Sequence, residues 1–125
     1  MLKICVDIGG TKTIVGLINE DLEIVASQKF KTNKDVPEKE FNEIISLAND
    51  YITNYKDVDK TVLNIAMPGP CDYTQGVFLN PPNLQKYNGF NAGAYITQNS
   101  EFKPQFVNDT DARNFSRTSV YKSTN

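Results

Sequence analysis

Three runs rich in apolar and β-branched residues crowd the first thirty positions: 2–8, 13–19 and 23–30. The links between them are short, Gly9-Gly10-Thr11-Lys12 and Asn19-Glu20-Asp21. A parallel pair of strands needs a crossover of about a dozen residues or more, so strands this close in sequence must run antiparallel. A polar stretch, 29–35, then leads to a helix predicted over 37–55. Phe41, Ile44, Ile45, Ala48, Ile52 and Tyr55 recur there at helical spacing, and Lys39, Glu40, Glu43 and Asp50 are assigned to the opposite face. Asp35 is the expected N-cap, with Pro37 in the first turn and Glu38 three residues on, a variant of the capping box. Thr61–Ala66 is a strand that follows a helix, so it joins the sheet in parallel through a right-handed crossover. A short helix over 91–98 capped by Asn91, a fifth strand over 103–107 and a last helix opening at Asn108 complete the chain. That last helix would turn Ala112, Phe115 and Val120 inward. The expected fold is α/β: a five-stranded mixed sheet, three antiparallel strands then two parallel, with helices on its faces.

Composition narrows the partners. A chain of 125 residues makes one domain and buries roughly two-thirds of its extended surface. A net charge of -2 gives no electrostatic case for nucleic acid or an anionic membrane, so any phosphate contact must be local. No apolar run is long enough to span a bilayer, and the opening residues, with Lys3 and Asp7, are too charged for a signal peptide. Cys5, inside the first apolar run, reads as a buried thiol. With Cys71 the only other cysteine, the chain suits a reducing cytoplasm. There is no histidine, which excludes histidine triads and histidine metal sites within this chain and leaves carboxylates as proton carriers near neutral pH.

Two stretches carry candidate chemistry. In Asp7-Ile8-Gly9-Gly10-Thr11-Lys12-Thr13 the paired glycines can bring bare backbone N–H groups to a ligand, Thr11 and Thr13 add hydroxyls, and Lys12 adds positive charge. That combination suits a phosphate, and Asp7 at the strand end suits a magnesium ion or its waters. An ordinary glycine hairpin with a solvated lysine accounts for the same residues. The spacing is neither a Walker A loop nor G-x-G-x-x-G. The second stretch is Asn108-Asp109, at the end of a parallel strand, where ligands bind in sheets of this kind. Asp109, in the first turn of a helix, would stay ionised and could take a proton from an alcohol. Asn108 could donate to and accept from vicinal hydroxyls. A plain helix cap explains the pair equally. Between the two stretches runs a long loop, 67–90, holding four of the six prolines. Its Pro-Gly-Pro and Pro-Pro steps argue for a fixed shape.

Taken together these pieces resemble the ROK family of sugar kinases, which includes glucokinases and N-acetylmannosamine kinases. Asp7-Ile8-Gly9-Gly10-Thr11-Lys12-Thr13 is similar to the family's phosphate motif. Ile65-Ala66-Met67-Pro68-Gly69-Pro70-Cys71-Asp72 is similar to its Val-Pro-Gly-Pro-Val-Asp segment. Gly76-Val77 and Asn80-Pro81-Pro82-Asn83-Leu84 match its Gly-Val…Asn-Pro-Pro-Asn-Leu, and Phe106-Val107-Asn108-Asp109 its Val-Glu-Asn-Asp. The resemblance implies a ribonuclease H-like domain of the actin and hexokinase type. It implies ATP-dependent transfer of the γ-phosphate to a hydroxyl of a hexose or N-acyl hexosamine, such as glucose. Asp109 would be the catalytic base, and Gly69, Asn83, Asn108 and Asp109 would bind sugar. Gly9, Gly10, Thr11 and Lys12 would hold ATP phosphates, with Asp7 near magnesium, directly or through water. After Asn108-Asp109 the chain reads Thr110-Asp111-Ala112-Arg113-Asn114-Phe115-Ser116-Arg117, a departure from the family's Ala-Asn-Ala-Ala-Ala-x-Gly-Glu.

The resemblance covers the family's small N-terminal domain over 1–125. A large C-terminal domain, with an adenosine pocket, a Glu-x-Gly-His sugar clamp and a cysteine-rich structural zinc site, is absent from this sequence, so the isolated chain is expected to be inactive. Apolar surface that such a domain would cover gives scope for homo-oligomers. The alternative expectations are a sugar-sensing regulator of the same family or a non-catalytic sugar-binding module. Against the regulator stand the intact phosphate motif and a first strand that begins at Leu2, leaving no room for a preceding helix-turn-helix.

Overall fold

The computed structural model describes residues 1–108. Strands β1 (Leu2–Ile8), β2 (Lys12–Ile18) and β3 (Ile24–Lys31) form the antiparallel meander that the short links require. Helix α1 (Pro37–Asn54) crosses over to β4 (Val58–Met67), which lies parallel to β1. A two-stranded hairpin, β5 (Cys71–Asp72) and β6 (Val77–Phe78), a single 3-10 turn (Gln85–Tyr87) and helix α2 (Ala92–Asn99) lead to β7 (Lys103–Asn108). β7 is parallel to β4, and the sheet order is β3-β2-β1-β4-β7. This is the expected five-stranded mixed sheet, three antiparallel strands then two parallel.

The two described helices share one face. Alternation along the strands directs Ile4, Val6 and Ile8 of β1, Val15 and Leu17 of β2, and Leu63, Ile65 and Met67 of β4 to that face. There they pack with Phe41, Ile44, Ile45 and Ala48 of α1 and Ala92 and Ile96 of α2 in a single buried cluster. Full burial of a side chain of this size contributes about 1.5–3 kcal/mol relative to exposure. Cys5 and Ile18, of opposite parity, form a smaller cluster with Leu22 and Ile24. Burial pushes the Cys5 thiol up to about 12, so it is inert near neutral pH, as a core cysteine should be.

The start of α1 differs from the expected cap. Asp35 does not cap it. The residue before the helix is Val36, which has no side-chain cap. Asn33 does the work from outside the helix: its Oδ1 accepts the N–H groups of Asp35 (3.1 Å) and Val36 (2.9 Å). Asp35 instead pairs with Lys86 at 3.2 Å, both well exposed. On the helix itself Tyr51 is buried and donates its hydroxyl to the Val15 carbonyl at 2.7 Å, while Tyr55 lies beyond the last turn. Burial pushes the Tyr51 phenol up to about 12. The cap of α2 is as expected, with Asn91 Oδ1 accepting Ala94 N–H at 2.9 Å.

The 67–90 segment has a fixed shape with its own interior. Phe78, Leu84 and Tyr87 are buried, and the rings of Phe78 and Tyr87 meet edge to face at 5.1 Å. Gly76 adopts a φ of +79°, and a Cβ there would fall 2.3 Å from the Phe106 ring, so the hairpin fits β7 only with glycine at this position.

Candidate functional site

Strand direction decides where the candidate residues lie. β1, β4 and β7 are mutually parallel, so their C-terminal ends form one rim. Asp7 pairs with Ala66, Ala66 with Val107, and Met67 with Asn108. With neighbouring strands about 4.8 Å apart, the Asp7 and Val107 positions are separated by only about 10 Å across the sheet. The Gly9–Lys12 turn after β1 and Asn108 at the end of β7 therefore lie at the same end of the sheet.

The turn is tight because Gly9 N–H donates to the Lys12 carbonyl at 3.0 Å. A Cβ on Gly9 would come within 2.8 Å of that same carbonyl oxygen, a backbone atom that cannot swing aside. Thr32 holds the turn from below. Its hydroxyl donates to the Gly9 carbonyl (2.9 Å) and its N–H to the Thr11 carbonyl (2.9 Å). The carbonyls of Gly9, Thr11 and Lys12 are thus engaged, while no backbone carbonyl among the described residues accepts from the N–H of Gly10 or Thr11. Thr11 and Lys12 are exposed on the outer side of the turn.

Thr13 does not join them. Its side chain is fully buried, with its Oγ1 2.6 Å from Glu40 Oε2 and 2.8 Å from Thr32 Oγ1. The expected hydroxyl donor to a ligand is instead part of the floor. Glu40 corrects the sequence reading as well. It was assigned to the solvent face of α1, yet it is fully buried under the turn. Its Oε1 accepts Asn33 N–H at 2.9 Å, and desolvation, outweighing its polar contacts with Thr13 and Asn33, holds its carboxyl above the ordinary range. The signal was available: position 40 lies four residues before Ile44 and eight before Ala48, on the buried stripe. Asn33 is fixed in turn from the 67–90 segment, since the Tyr87 hydroxyl donates to its carbonyl.

The remaining candidates meet in pairs. The Asn83 side chain stands against the turn, 3.4 Å from where a Cβ on Gly10 would be. Gly69 lies beside Asn108, whose Nδ2 is 3.7 Å from a Cβ position on Gly69, and Tyr73 fills the space on its other side. A substituent on Gly69 would come within 2.7 Å of the Tyr73 hydroxyl, which donates to the Met67 carbonyl at 3.4 Å. Asp7, half-buried at the end of β1, is not grouped with two further carboxylates or cysteines among the described residues. One carboxylate suits magnesium, which keeps several waters and shares phosphate oxygens, better than it suits a cation held wholly by protein. Asp109 and the helix expected after it lie outside the described residues. No described helix is long and apolar enough to cross a membrane.

The fold recurs in known proteins. A hexokinase of the ROK type from Thermus thermophilus superposes with a TM-score of 0.75 at 20% identity, over 89% of this chain and 36% of that one. A ROK glucokinase from Streptomyces griseus, solved with glucose and AMPPNP, gives 0.70 at 22% identity over 92% and 35%. A ROK transcriptional regulator, homologous to the E. coli MLC protein, gives 0.69 at 18% identity over 87% and 28%. The chain thus spans little more than a third of either kinase. No curated protein matches at the level of sequence. The model of the ROK family matches residues 3–125, nearly the whole length, and the chain belongs to that family.

Proposed function

We propose that this chain is the N-terminal domain of an ATP-dependent sugar kinase, one that transfers the γ-phosphate of ATP to a hydroxyl of a hexose or N-acyl hexosamine. The observation that carries the reading is the shared rim: the Gly9–Lys12 turn and Asn108 stand at one end of the sheet, bridged by a loop whose Asn83 lies beside the first and whose Gly69 lies beside the second. In this reading Gly9, Gly10, Thr11 and Lys12 hold the nucleotide phosphates through backbone N–H groups and one positive charge. Asp7 would hold magnesium, directly or through water. Bound magnesium neutralises charge on the phosphates, a role that one carboxylate at the rim can support. Gly69, Asn83 and Asn108 line the sugar side, and Asp109 accepts the proton of the attacking hydroxyl. Phosphoryl transfer relies on positioning and on charge stabilisation, so a rigid turn facing a polar strand end is what the chemistry requires.

The partners are a sugar and a nucleotide, with the reaction housed in the cytoplasm. A large second domain would close the cleft, exclude water and carry any structural zinc. The present chain supplies one wall only and should bind sugar weakly with no measurable turnover. Its exposed Leu79, beside the Pro81-Pro82 bend, is the kind of surface through which a domain or a second copy would dock.

Calorimetric titration of the chain with ATP, glucose and N-acetylmannosamine tests the proposal. Binding of nucleotide that requires magnesium supports it, and sugar binding with no response to nucleotide overturns it. That second outcome is the one expected of a sugar-sensing regulator, the reading favoured by the shared fold of the ROK regulator.

A further inference from the structure

Four oxygens stand in a row beneath the glycine turn: Glu40 Oε2, Thr13 Oγ1, Thr32 Oγ1 and the Gly9 carbonyl. Their successive separations are 2.6, 2.8 and 2.9 Å. Each is a hydrogen-bond length, so each link needs one hydrogen, three in all. The two hydroxyls bring two. The other carboxyl oxygen, Oε1, is already served by Asn33 N–H. With an ionised carboxylate, Thr13 donates to Glu40, and Thr32 must then choose between Thr13 and Gly9. One pair of oxygens is left facing with no hydrogen between them. The site is closed to solvent, with Glu40 and Thr13 at 0% exposure and Thr32 at 2%, so water cannot supply the missing one. With the carboxyl protonated, each oxygen donates to the next and the row is complete.

We propose that Glu40 is a positioning residue that keeps its carboxyl proton in the folded chain and sends a one-way run of hydrogen bonds through Thr13 and Thr32 to the Gly9 carbonyl, fixing the turn. The proposal rests on the phosphate reading only for what the turn holds. The surroundings agree. Burial is the largest influence on Glu40, and the charged group acting on it is Glu43 of α1, of like sign. From the 85–87 turn Tyr87 faces the same corner. Its phenol is held up by burial, with the negative charge of Asp35 and Glu38 adding to it, and it stays a donor to Asn33. The remaining neighbours, Thr13 of β2 and Thr32 and Asn33 after β3, carry no charge. The acid's folded value lies above its unfolded one, so the folded state holds the proton longer. The turn is fully braced below the unfolded value and loosens as pH rises through the folded one.

Carbon-13 NMR of the Glu40 carboxyl and the nitrogen-15 shift of the Gly10 amide, recorded on the whole chain across pH, test this. Gly10 N–H shares its peptide unit with the Gly9 carbonyl and reports on the last link. The expected result is a Glu40 midpoint above 4.5 with the Gly10 amide moving at that same midpoint. In Glu40→Gln the side-chain amide donates to Thr13 permanently, so the Gly10 signal should stay at its low-pH position at every pH. A Glu40 midpoint at or below 4.5, or a Gly10 amide unmoved through it, overturns the proposal. The wild-type titration decides the matter even if the variant fails to fold. Adding magnesium and ATP at fixed pH separates the two readings: a turn that ignores nucleotide but follows Glu40 ends the phosphate assignment and leaves the proton assignment standing.

Discussion

Gly9 and Glu40 show how a single position controls the turn from opposite sides. Gly9 has no room for a side chain, because a Cβ would meet the Lys12 carbonyl. Gly9→Ala should therefore lower unfolding stability by roughly 1–3 kcal/mol in urea melts and abolish any nucleotide response, since backbone must shift. Glu40 acts through its proton. Its folded pKa is raised, so its stabilising contribution is complete below the unfolded value of 4.5 and is lost as pH climbs through the folded one. Thermal melts should show wild type losing stability over that window while Glu40→Gln stays flat and is the more stable of the two above it. The glycine pair was legible in the sequence because two glycines between two β-rich runs leave few alternatives. Glu40 was not legible from residue type, because its burial is set by its angular position on the helix, in line with Ile44 and Ala48.

Short connections made the elements readable. Links of a few residues require antiparallel strands and a helical crossover requires a parallel one, so the strand directions follow from spacing. Boundaries were less legible where polar residues join a strand: β4 begins at Val58, so Asp59 and Lys60 already lie within it. The cap of α1 is the clearest element-level correction. Asn33, with two backbone N–H groups on its side chain, should cost about 1 kcal/mol when changed to alanine. Asp35→Ala removes only an exposed ion pair and should change stability by less than about 0.5 kcal/mol. A reversal of that order in chemical denaturation would restore Asp35 as the cap. The 67–90 segment was readable as rigid from its prolines, but not the reason it holds its place. The anchors are the buried Phe78, Leu84 and Tyr87, and apolar residues scattered through a loop carry no periodicity to identify them.

At the scale of the molecule, the parallel strands β1, β4 and β7 gather the candidate residues at one rim, and family membership accounts for the order of the motifs along the chain. What the sequence did not reveal is that both described helices lie on the same face of the sheet. That depends on handedness and packing, not on pattern. The proposed base lies one residue past the end of β7. In an enzyme that joins this domain to a second domain of the family, Asp109→Asn should cut turnover by a hundredfold or more, as removal of a general base does. A rate within a few fold of wild type would remove the assignment.

The central claim is that the glycine turn and the strand end at Asn108 face one cleft. Paramagnetic broadening by manganese-ATP, with the manganese in place of magnesium, reads that directly in nitrogen-15 spectra of the chain. The account predicts that the amides of Gly9, Gly10 and Lys12 fade together with that of Asn108, while Lys3 and Lys103, at the opposite ends of their strands, persist. Fading of the turn with Asn108 untouched, or of neither, would contradict it.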